Sequence, residues 1–210
     1  MNMKSTIKNL LIDFGGVLIN LDKERCVNNF HALNMGVMAG MLDSYRQKGL
    51  FLEHEQGKIS SDEFRQRIRS YATTPVTDEQ IDAAWNSFLV DIPHAKLDLL
   101  LELRKHYRVY LLSNTNEIHW EWAKEHAFAY GNYRVDDYFE RLYLSFQMGT
   151  AKPDPEIFKM VMRDADLKPE ETFFIDDSAA NCEVARALGI ECYAPEAHED
   201  WSHLFKEVLK

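Results

Sequence analysis

The sequence predicts an α/β fold with a doubly wound, mainly parallel sheet and a helical insertion after the first strand. Three observations support this prediction. Short apolar runs end in polar residues, as strands covered on both faces do. From about residue 93 onward, segments with a helical pattern alternate with these runs. Residues 21–92, in contrast, contain no convincing strand pattern.

The predicted strands are short apolar runs, most of which stop at a polar residue. Asp13 follows the first run, Ser113 the second, Ser145 the third and Asp176 the fourth. These runs lack the alternation of a half-exposed strand, so we expect both faces of the sheet to be covered. In chain order the runs are 10–12, 109–112, 142–144, 173–175 and a weaker one at 191–193.

Helix signals occupy the segments between the later strands. Residues 93–107 carry leucines at amphipathic spacing. Asp154 followed by Pro155 is typical of a helix start, with an N-cap and a proline at the first helical position. A third amphipathic stripe follows the last pair of aspartates and stops at Gly189, a natural C-terminal residue for a helix.

The segment between the first strand and residue 93 has helical signals alone. Capping-box patterns at 60–63 and 77–80 each precede apolar residues at helical spacing. We therefore expect an α/β core formed by residues 1–20 and 93–210, with residues 21–92 inserted as an α-helical cap.

The composition argues against several classes of function. The 210 residues have a formal net charge of −10 and no basic tract, so we expect no nucleic-acid partner. No apolar run is long enough to span a bilayer, so we expect no membrane partner. The three cysteines are few and widely spaced, which disfavours a disulfide framework or a zinc cluster and predicts a reducing, cytoplasmic setting.

In open α/β sheets the reactive groups lie beyond the carboxyl ends of the strands. Carboxylates that converge there repel each other unless a cation lies between them, and Mg²⁺ fits because it also leaves a place for a substrate phosphate. Lys152 and the Ser113 hydroxyl could hold phosphoryl oxygens while an ionised aspartate attacks phosphorus. The candidate residues at this edge are Asp13 after the first strand, Ser113 and Asn114 after the second, Lys152 in the loop after the third, and Asp176 and Asp177 after the fourth.

Four short motifs contain these residues, namely Asp-Phe-Gly-Gly-Val-Leu at 13–18, Ser-Asn-Thr-Asn at 113–116, Ala-Lys-Pro-Asp-Pro-Glu-Ile-Phe at 151–158 and Phe-Ile-Asp-Asp-Ser at 174–178. In this order they resemble the four motifs of the haloacid dehalogenase superfamily. The helical insertion resembles the small α-helical cap of that superfamily. The resemblance extends to sugar-phosphate phosphatases and implies a Rossmann-like core, Mg²⁺ as cofactor and a small phosphorylated metabolite as substrate.

The resemblance also implies a role for each candidate residue. Asp13 would be the nucleophile, would form an aspartyl-phosphate and would bind the metal. The backbone carbonyl of Gly15 would be a second metal ligand, and Lys152 would orient both Asp13 and the phosphoryl group. The remaining implied roles are phosphate binding at Ser113 and Asn114 and metal binding at Asp176 and Asp177.

Gly15 departs from the superfamily pattern, because phosphatases of this kind usually carry an aspartate there as general acid and base. The difference is compatible with a slow enzyme, an activated leaving group, a water relay or an acid from the cap. A phosphate-binding or regulatory protein with little turnover is therefore an alternative. A metal-independent 2-haloacid dehalogenase is a third hypothesis, but the fourth motif of those enzymes lacks the paired aspartates found here.

Two segments are candidates for contact with the substrate. His119, Trp120 and Trp122 follow the second motif and could face the site or pack into the core. The polar run 51–58, which includes Glu55, could lie over the site or form an exposed loop.

Overall fold

The computed structural model describes residues 4–42 and 48–209, and within these ranges five strands form one parallel sheet. The strands are β1 (Asn9–Ile12), β2 (Arg108–Ser113), β3 (Arg141–Leu144), β4 (Thr172–Ile175) and β5 (Glu191–Tyr193). Their order in the sheet is β3–β2–β1–β4–β5, so the first strand lies at the centre. The predicted parallel α/β fold is confirmed, including its weaker fifth strand.

Helices fill the connections between the strands. They are α1 (Lys23–Ala32), α2 (Gly49–Glu55), α3 (Ser61–Arg69), α4 (Asp78–Asn86), α5 (His94–Leu103), α6 (Glu117–His126), α7 (Val135–Tyr138), α8 (Ser145–Met148), α9 (Pro155–Asp164) and α10 (Ala179–Ala187), with short 3₁₀ helices at Gly36–Gly40, Pro169–Glu171 and Trp201–Phe205. Helices α1 to α4 fall where the sequence predicts the cap. In the described ranges, none of the helices combines the length and the apolar character needed to cross a bilayer.

The sheet is covered on both faces, because successive residues of a strand point to opposite sides. In β1, Leu10 and Ile12 belong to the larger apolar cluster, which also contains residues of α1, α3, α4 and α5. Leu11 points the other way, into a smaller cluster with residues of α9 and α10. Every residue of β1 is buried, as the unbroken apolar run predicts.

The insertion packs around a group of aromatic side chains. The ring of Phe51 lies 5.6 Å from that of Phe64 and 4.9 Å from that of Trp85, measured between centroids. The chain enters and leaves this helical segment side by side, since Leu21 and Leu89 form an isolated antiparallel bridge. The apolar core of the insertion is continuous with the larger cluster on one face of the sheet.

The two predicted capping boxes differ in the structure. Thr77 and Gln80 form both hydrogen bonds of the box at the start of α4. At the start of α3, the Ser60 side chain accepts a hydrogen bond from the Glu63 backbone amide. The Glu63 carboxylate pairs instead with Arg67, one turn further along the helix, which explains why this box is only half formed.

The structure corrects the expectation drawn from the cysteine count. Cys182 in α10 and Cys192 in β5 form a disulfide, with their Cα atoms 5.5 Å apart. Helix α10 turns back at Gly189 and leads into β5, so two side chains ten positions apart meet in the smaller apolar cluster. The third cysteine, Cys26, is buried in α1.

Candidate active site

The carboxyl ends of three neighbouring strands bring the candidate residues to one edge of the sheet. In the strand register, Ile12 of β1 lies beside Leu111 of β2 on one side and Ile175 of β4 on the other. The residues that follow these strands must therefore be neighbours. The backbone amide of Asp13 donates to the Ile175 carbonyl at 2.9 Å, which confirms that the ends of β1 and β4 are adjacent.

Lys152 lies buried between two of the aspartates. Its Nζ is 2.7 Å from Oδ1 of Asp13 and 2.6 Å from Oδ2 of Asp176, and it donates to the Leu112 carbonyl at 2.9 Å. Burial alone lowers the pKa of Lys152, but the two carboxylates outweigh burial, so the pKa lies above its ordinary value. The ammonium group is therefore held in its charged form.

Asp13 has an environment that disfavours its ionised form. Burial raises the pKa of Asp13 well above its ordinary value, Lys152 opposes that rise, and Asp176 and Asp177 add to it. A nucleophilic carboxylate must be ionised. A cation beside these three aspartates would supply the missing positive charge.

The three aspartates are close enough to share such a cation. Asp13, Asp176 and Asp177 each offer a carboxylate oxygen, and these oxygens all lie within 4.8 Å of one another. Gly16 packs against the group: it has a φ of +74°, and a Cβ atom there would lie 2.2 Å from Oδ2 of Asp177. The donors are hard oxygens, the ligand type that Mg²⁺ prefers, so the residues fit the predicted metal.

The two neighbouring aspartates of the fourth motif have different surroundings. Each oxygen of Asp176 accepts two hydrogen bonds, from Ser178 N and Asn181 Nδ2 at Oδ1 and from Lys152 Nζ and Asn181 Nδ2 at Oδ2. The Asp177 carboxylate is less buried, and burial together with Asp176 raises its pKa to about 6. Asp177 thus has more lone pairs free for a cation than Asp176 has.

Asn114 of the second motif fixes the backbone of Lys152. The Asn114 side chain donates to the Lys152 carbonyl and accepts from the Lys152 amide, both at 2.8 Å. Ser113 is fully buried, and its hydroxyl donates to the Asn114 carbonyl at 3.3 Å. Asn114 lines the cavity described next, whereas Ser113 lies just behind that lining.

A cavity of about 80 Å³ opens between the sheet edge and the helical insertion. Asp13, Gly15, Lys152 and Asp177 form its floor on the sheet side. The side chains that approach from the insertion and its connections are Leu21, Glu55, Trp85, Phe88 and Leu89. Sequence reasoning singled out Glu55 within a polar run but missed the apolar members, because their helical spacing is also that of ordinary core residues.

His119 and its two aromatic neighbours in the sequence, Trp120 and Trp122, have different surroundings in the structure. His119 lines the cavity, whereas Trp120 packs on Phe14 and Trp122 lies outside the lining. Its Nε2 lies 3.1 Å from the Trp85 carbonyl, and its ring stacks on the Trp85 ring at 4.1 Å. Burial lowers the pKa of His119 to about 3, so the ring is neutral, Nε2 donates, and Nδ1 is an acceptor.

This geometry is accompanied by a clear similarity to known proteins. Residues 7–189 match the family model of haloacid dehalogenase-like hydrolases. The chain belongs to this family. The resemblance stated from the four motifs is therefore confirmed, together with the fold it implied.

Three relatives resemble this haloacid dehalogenase-like hydrolase over almost its whole length. A D-ribitol-5-phosphate phosphatase from Bacteroides thetaiotaomicron is 41% identical over 203 residues, covering 97% of this chain and 98% of that protein. A crystal structure of a family enzyme from Bacteroides thetaiotaomicron, in complex with magnesium and inorganic phosphate, has 59% identity and a TM-score of 0.91, with 95% and 99% of the two chains covered. A predicted family hydrolase from Porphyromonas gingivalis has 38% identity and a TM-score of 0.90, with 98% and 99% covered.

Proposed function

We propose that this hydrolase is a Mg²⁺-dependent phosphatase that cleaves a small phosphomonoester, with a phosphorylated sugar or polyol as its substrate. The observation that carries the proposal is the position of Lys152, whose Nζ touches both Asp13 and Asp176 beside a third carboxylate. This arrangement offers a nucleophile, a fixed positive charge and a set of ligands for a cation at one point. The similarity to a D-ribitol-5-phosphate phosphatase supports the substrate class.

In this proposal an oxygen of Asp13 attacks phosphorus in line with the leaving oxygen, and an aspartyl-phosphate forms. Lys152 keeps Asp13 in position and balances charge on the phosphoryl oxygens. On the β2 side Asn114 lines the cavity and fixes Lys152, and phosphate binding by Asn114 and Ser113 stays a prediction. Asp13, the Gly15 carbonyl, Asp176 and Asp177 would hold Mg²⁺, which stabilises the charge of the transferring group.

The cavity wall suits a small hydroxylated leaving group. Nδ1 of His119 can accept a hydrogen bond from a hydroxyl group, and Thr115 adds a hydroxyl of its own. Trp85 and Phe88 offer apolar surface for the carbon chain. We further propose that residues 21–92 act as the cap that excludes bulk water and contacts the leaving group.

A panel of phosphorylated polyols, sugars and other metabolites tests the proposal, with phosphate release measured in Mg²⁺ and in EDTA. We expect turnover of polyol or sugar phosphates that requires Mg²⁺ and is lost in Asp13→Asn. Tight binding of phosphate without turnover of any member would contradict the proposal in favour of a binding protein. Halide release from 2-haloacids in EDTA would contradict it in favour of a dehalogenase.

We also propose a cytoplasmic location, since a doubly charged phosphomonoester does not cross a bilayer unaided. In that reducing compartment Cys182 and Cys192 would be thiols rather than the disulfide seen in the structure. Thiol titration of the protein taken from its own cells, under conditions that block oxidation, measures this directly. Free thiols at both positions support the location, and a complete disulfide contradicts it.

A further inference from the structure

One buried carboxyl group of the helical insertion belongs to the cavity lining. Glu55 is the last residue of α2, is 9% exposed and lines the same cavity as Asp13 and Lys152. Its carboxyl group has no hydrogen-bond partner among the described residues. A buried acid without a structural partner is costly unless it serves a ligand.

The backbone around Glu55 is fixed to the sheet edge. The Ser145 hydroxyl, directly after β3, donates to the Glu55 carbonyl at 2.6 Å and accepts from the Thr115 amide at 2.9 Å. Two residues further on, Gly57 packs so closely on the 145–148 helix that a Cβ atom would lie 2.1 Å from the Phe146 carbonyl oxygen. These contacts fix the backbone at Glu55 against the residues that directly follow β3.

A second set of hydrogen bonds joins the insertion to the sheet domain next to Glu55. Nε2 of His54 is 3.2 Å from the Ser61 hydroxyl, which donates to Glu117 of α6 at 2.5 Å. This chain of hydrogen bonds connects α2 and α3 of the insertion to a helix of the sheet domain. Glu55 is therefore adjacent in sequence to a residue that links the insertion to the sheet domain.

The protonation state of Glu55 suits proton donation. Burial raises the pKa of Glu55 to about 8, and Lys152 partly opposes that rise. At neutral pH most of the Glu55 side chains therefore carry a proton. An uncharged carboxylic acid facing a phosphate ester can donate a hydrogen bond to the leaving oxygen.

We propose that Glu55 is the general acid and base of this hydrolase and takes the role for which Gly15 has no side chain. The inference rests on the proposed phosphatase function. As Asp13 attacks, the bond between phosphorus and the leaving oxygen breaks, and the proton of Glu55 passes to that oxygen to give the alcohol. A water molecule then attacks phosphorus, its proton returns to Glu55, and inorganic phosphate and the Asp13 carboxylate are released.

The other titratable side chains near the cavity are less suited to this role. His119 is neutral and its single ring proton is held by the Trp85 carbonyl. His54 does not line the cavity, and burial lowers its pKa to about 4. Lys152 is engaged with two carboxylates, and Asp177 belongs to the proposed metal ligands. Among the described cavity residues, Glu55 is thus the acid left for the leaving group.

Leaving-group dependence tests the proposal, because an acid matters most for a poor leaving group. Values of kcat/KM are measured for an alkyl ester, such as a polyol phosphate, and for p-nitrophenyl phosphate, whose leaving group needs no proton. The variant is Glu55→Gln, which keeps the shape but cannot exchange a proton. The control is Glu53→Gln on the same helix, where the native side chain is partly exposed and pairs with Arg67.

We expect Glu55→Gln to lower kcat/KM for the polyol phosphate by on the order of 10²- to 10³-fold and to change that for p-nitrophenyl phosphate by less than about fivefold. Wild-type activity on the polyol phosphate should fall above about pH 8, where Glu55 loses its proton, and Glu55→Gln should lack this fall. Glu53→Gln should behave as the wild type. An equal loss on both substrates, or no loss on either, would overturn the role of Glu55.

A rescue variant adds a second readout. A Cβ atom at Gly15 would meet only Leu21, at 3.4 Å, so an aspartate there has room. In the Glu55→Gln background, Gly15→Asp should raise kcat/KM for the polyol phosphate at least about tenfold, because it returns an acid to the site. Wild-type protein that turns over neither ester would instead overturn the phosphatase function itself, which separates the two failures.

Discussion

Asn114 and Lys152 are joined by two hydrogen bonds that run in opposite directions, from the Asn114 amide to the Lys152 carbonyl and from the Lys152 backbone to the Asn114 side-chain oxygen, both at 2.8 Å. The residue that follows β2 thus fixes the backbone of the loop that carries the lysine. The side chain of Lys152 then reaches back to Asp13 and Asp176. The charge arrangement at the sheet edge depends on this pairing.

Replacement of Asn114 by alanine should misplace Lys152. We expect kcat to fall by between about 10- and 100-fold, because a small displacement of a catalytic group is costly. The free energy of unfolding should fall by about 1–3 kcal/mol, since two partly buried backbone groups lose their partner. Steady-state kinetics and chemical denaturation measure the two effects. Asn132→Ala, at an exposed position, is the control, and wild-type kinetics in Asn114→Ala would refute this role.

Removal of the Lys152 charge should make the fold depend on Mg²⁺. In Lys152→Met, Asp13 and Asp176 lose their buried partner, which we expect to cost on the order of 3–5 kcal/mol in EDTA. Mg²⁺ should then raise the Tm of the variant more than that of the wild type, because the cation replaces the lost charge. Thermal melts with and without Mg²⁺ test this, with Lys159→Met at an exposed position as control. Equal Tm gains would contradict the account.

Both aspartates of the fourth motif are proposed metal ligands, but Asp177 should contribute more to Mg²⁺ affinity and Asp176 more to stability. Asp177→Asn should stay folded and bind Mg²⁺ at least about 10-fold more weakly. Asp176→Asn should lose stability, because its new amide would face the donors of Lys152 and Asn181. Calorimetric titration with Mg²⁺ and thermal melts in EDTA distinguish these effects. Unchanged Mg²⁺ affinity in Asp177→Asn would contradict the assignment.

The raised pKa of Glu55 predicts a pH-dependent stability. Between its ordinary value of 4.5 and its folded-state value of about 8, the native protein holds a proton that the unfolded chain releases. This group therefore lowers the free energy of unfolding as pH rises through that window, by up to about 1.4 kcal/mol per pH unit. Glu55→Gln lacks the effect.

Denaturant unfolding from pH 5 to pH 9 in EDTA measures the difference. Relative to the wild type, Glu55→Gln should gain stability as pH rises to about 8 and gain no more above it, while Glu53→Gln should follow the wild type. Parallel pH profiles for Glu55→Gln and the wild type would show that Glu55 titrates normally.

The sequence was sufficient for the sheet and for much of its reactive edge. Runs that end at Asp13, Ser113 and Asp176 revealed parallel strands, and the carboxyl ends of such strands necessarily meet. The four motifs added the family.

Features that depend on tertiary contact were harder to predict. Trp85 and Phe88 have the spacing of core residues, and only their packing shows that they also line the cavity. The Cys182–Cys192 pair arises from the turn of α10 into β5, which a count of cysteines does not reveal. Glu55 is one of several polar residues in the run 51–58, and the hydrogen bond from Ser145 to its carbonyl shows that its backbone is fixed at the sheet edge.

Capture of the covalent intermediate tests the central claim most directly. The protein is mixed with Mg²⁺ and a phosphorylated polyol, quenched in acid within milliseconds, digested and examined by mass spectrometry. We predict that the peptide containing Asp13 gains the mass of one phosphoryl group on that side chain, and that the signal is absent in Asp13→Asn. Turnover without phosphorylation of Asp13, or a phosphoryl group found on another residue, would contradict the account.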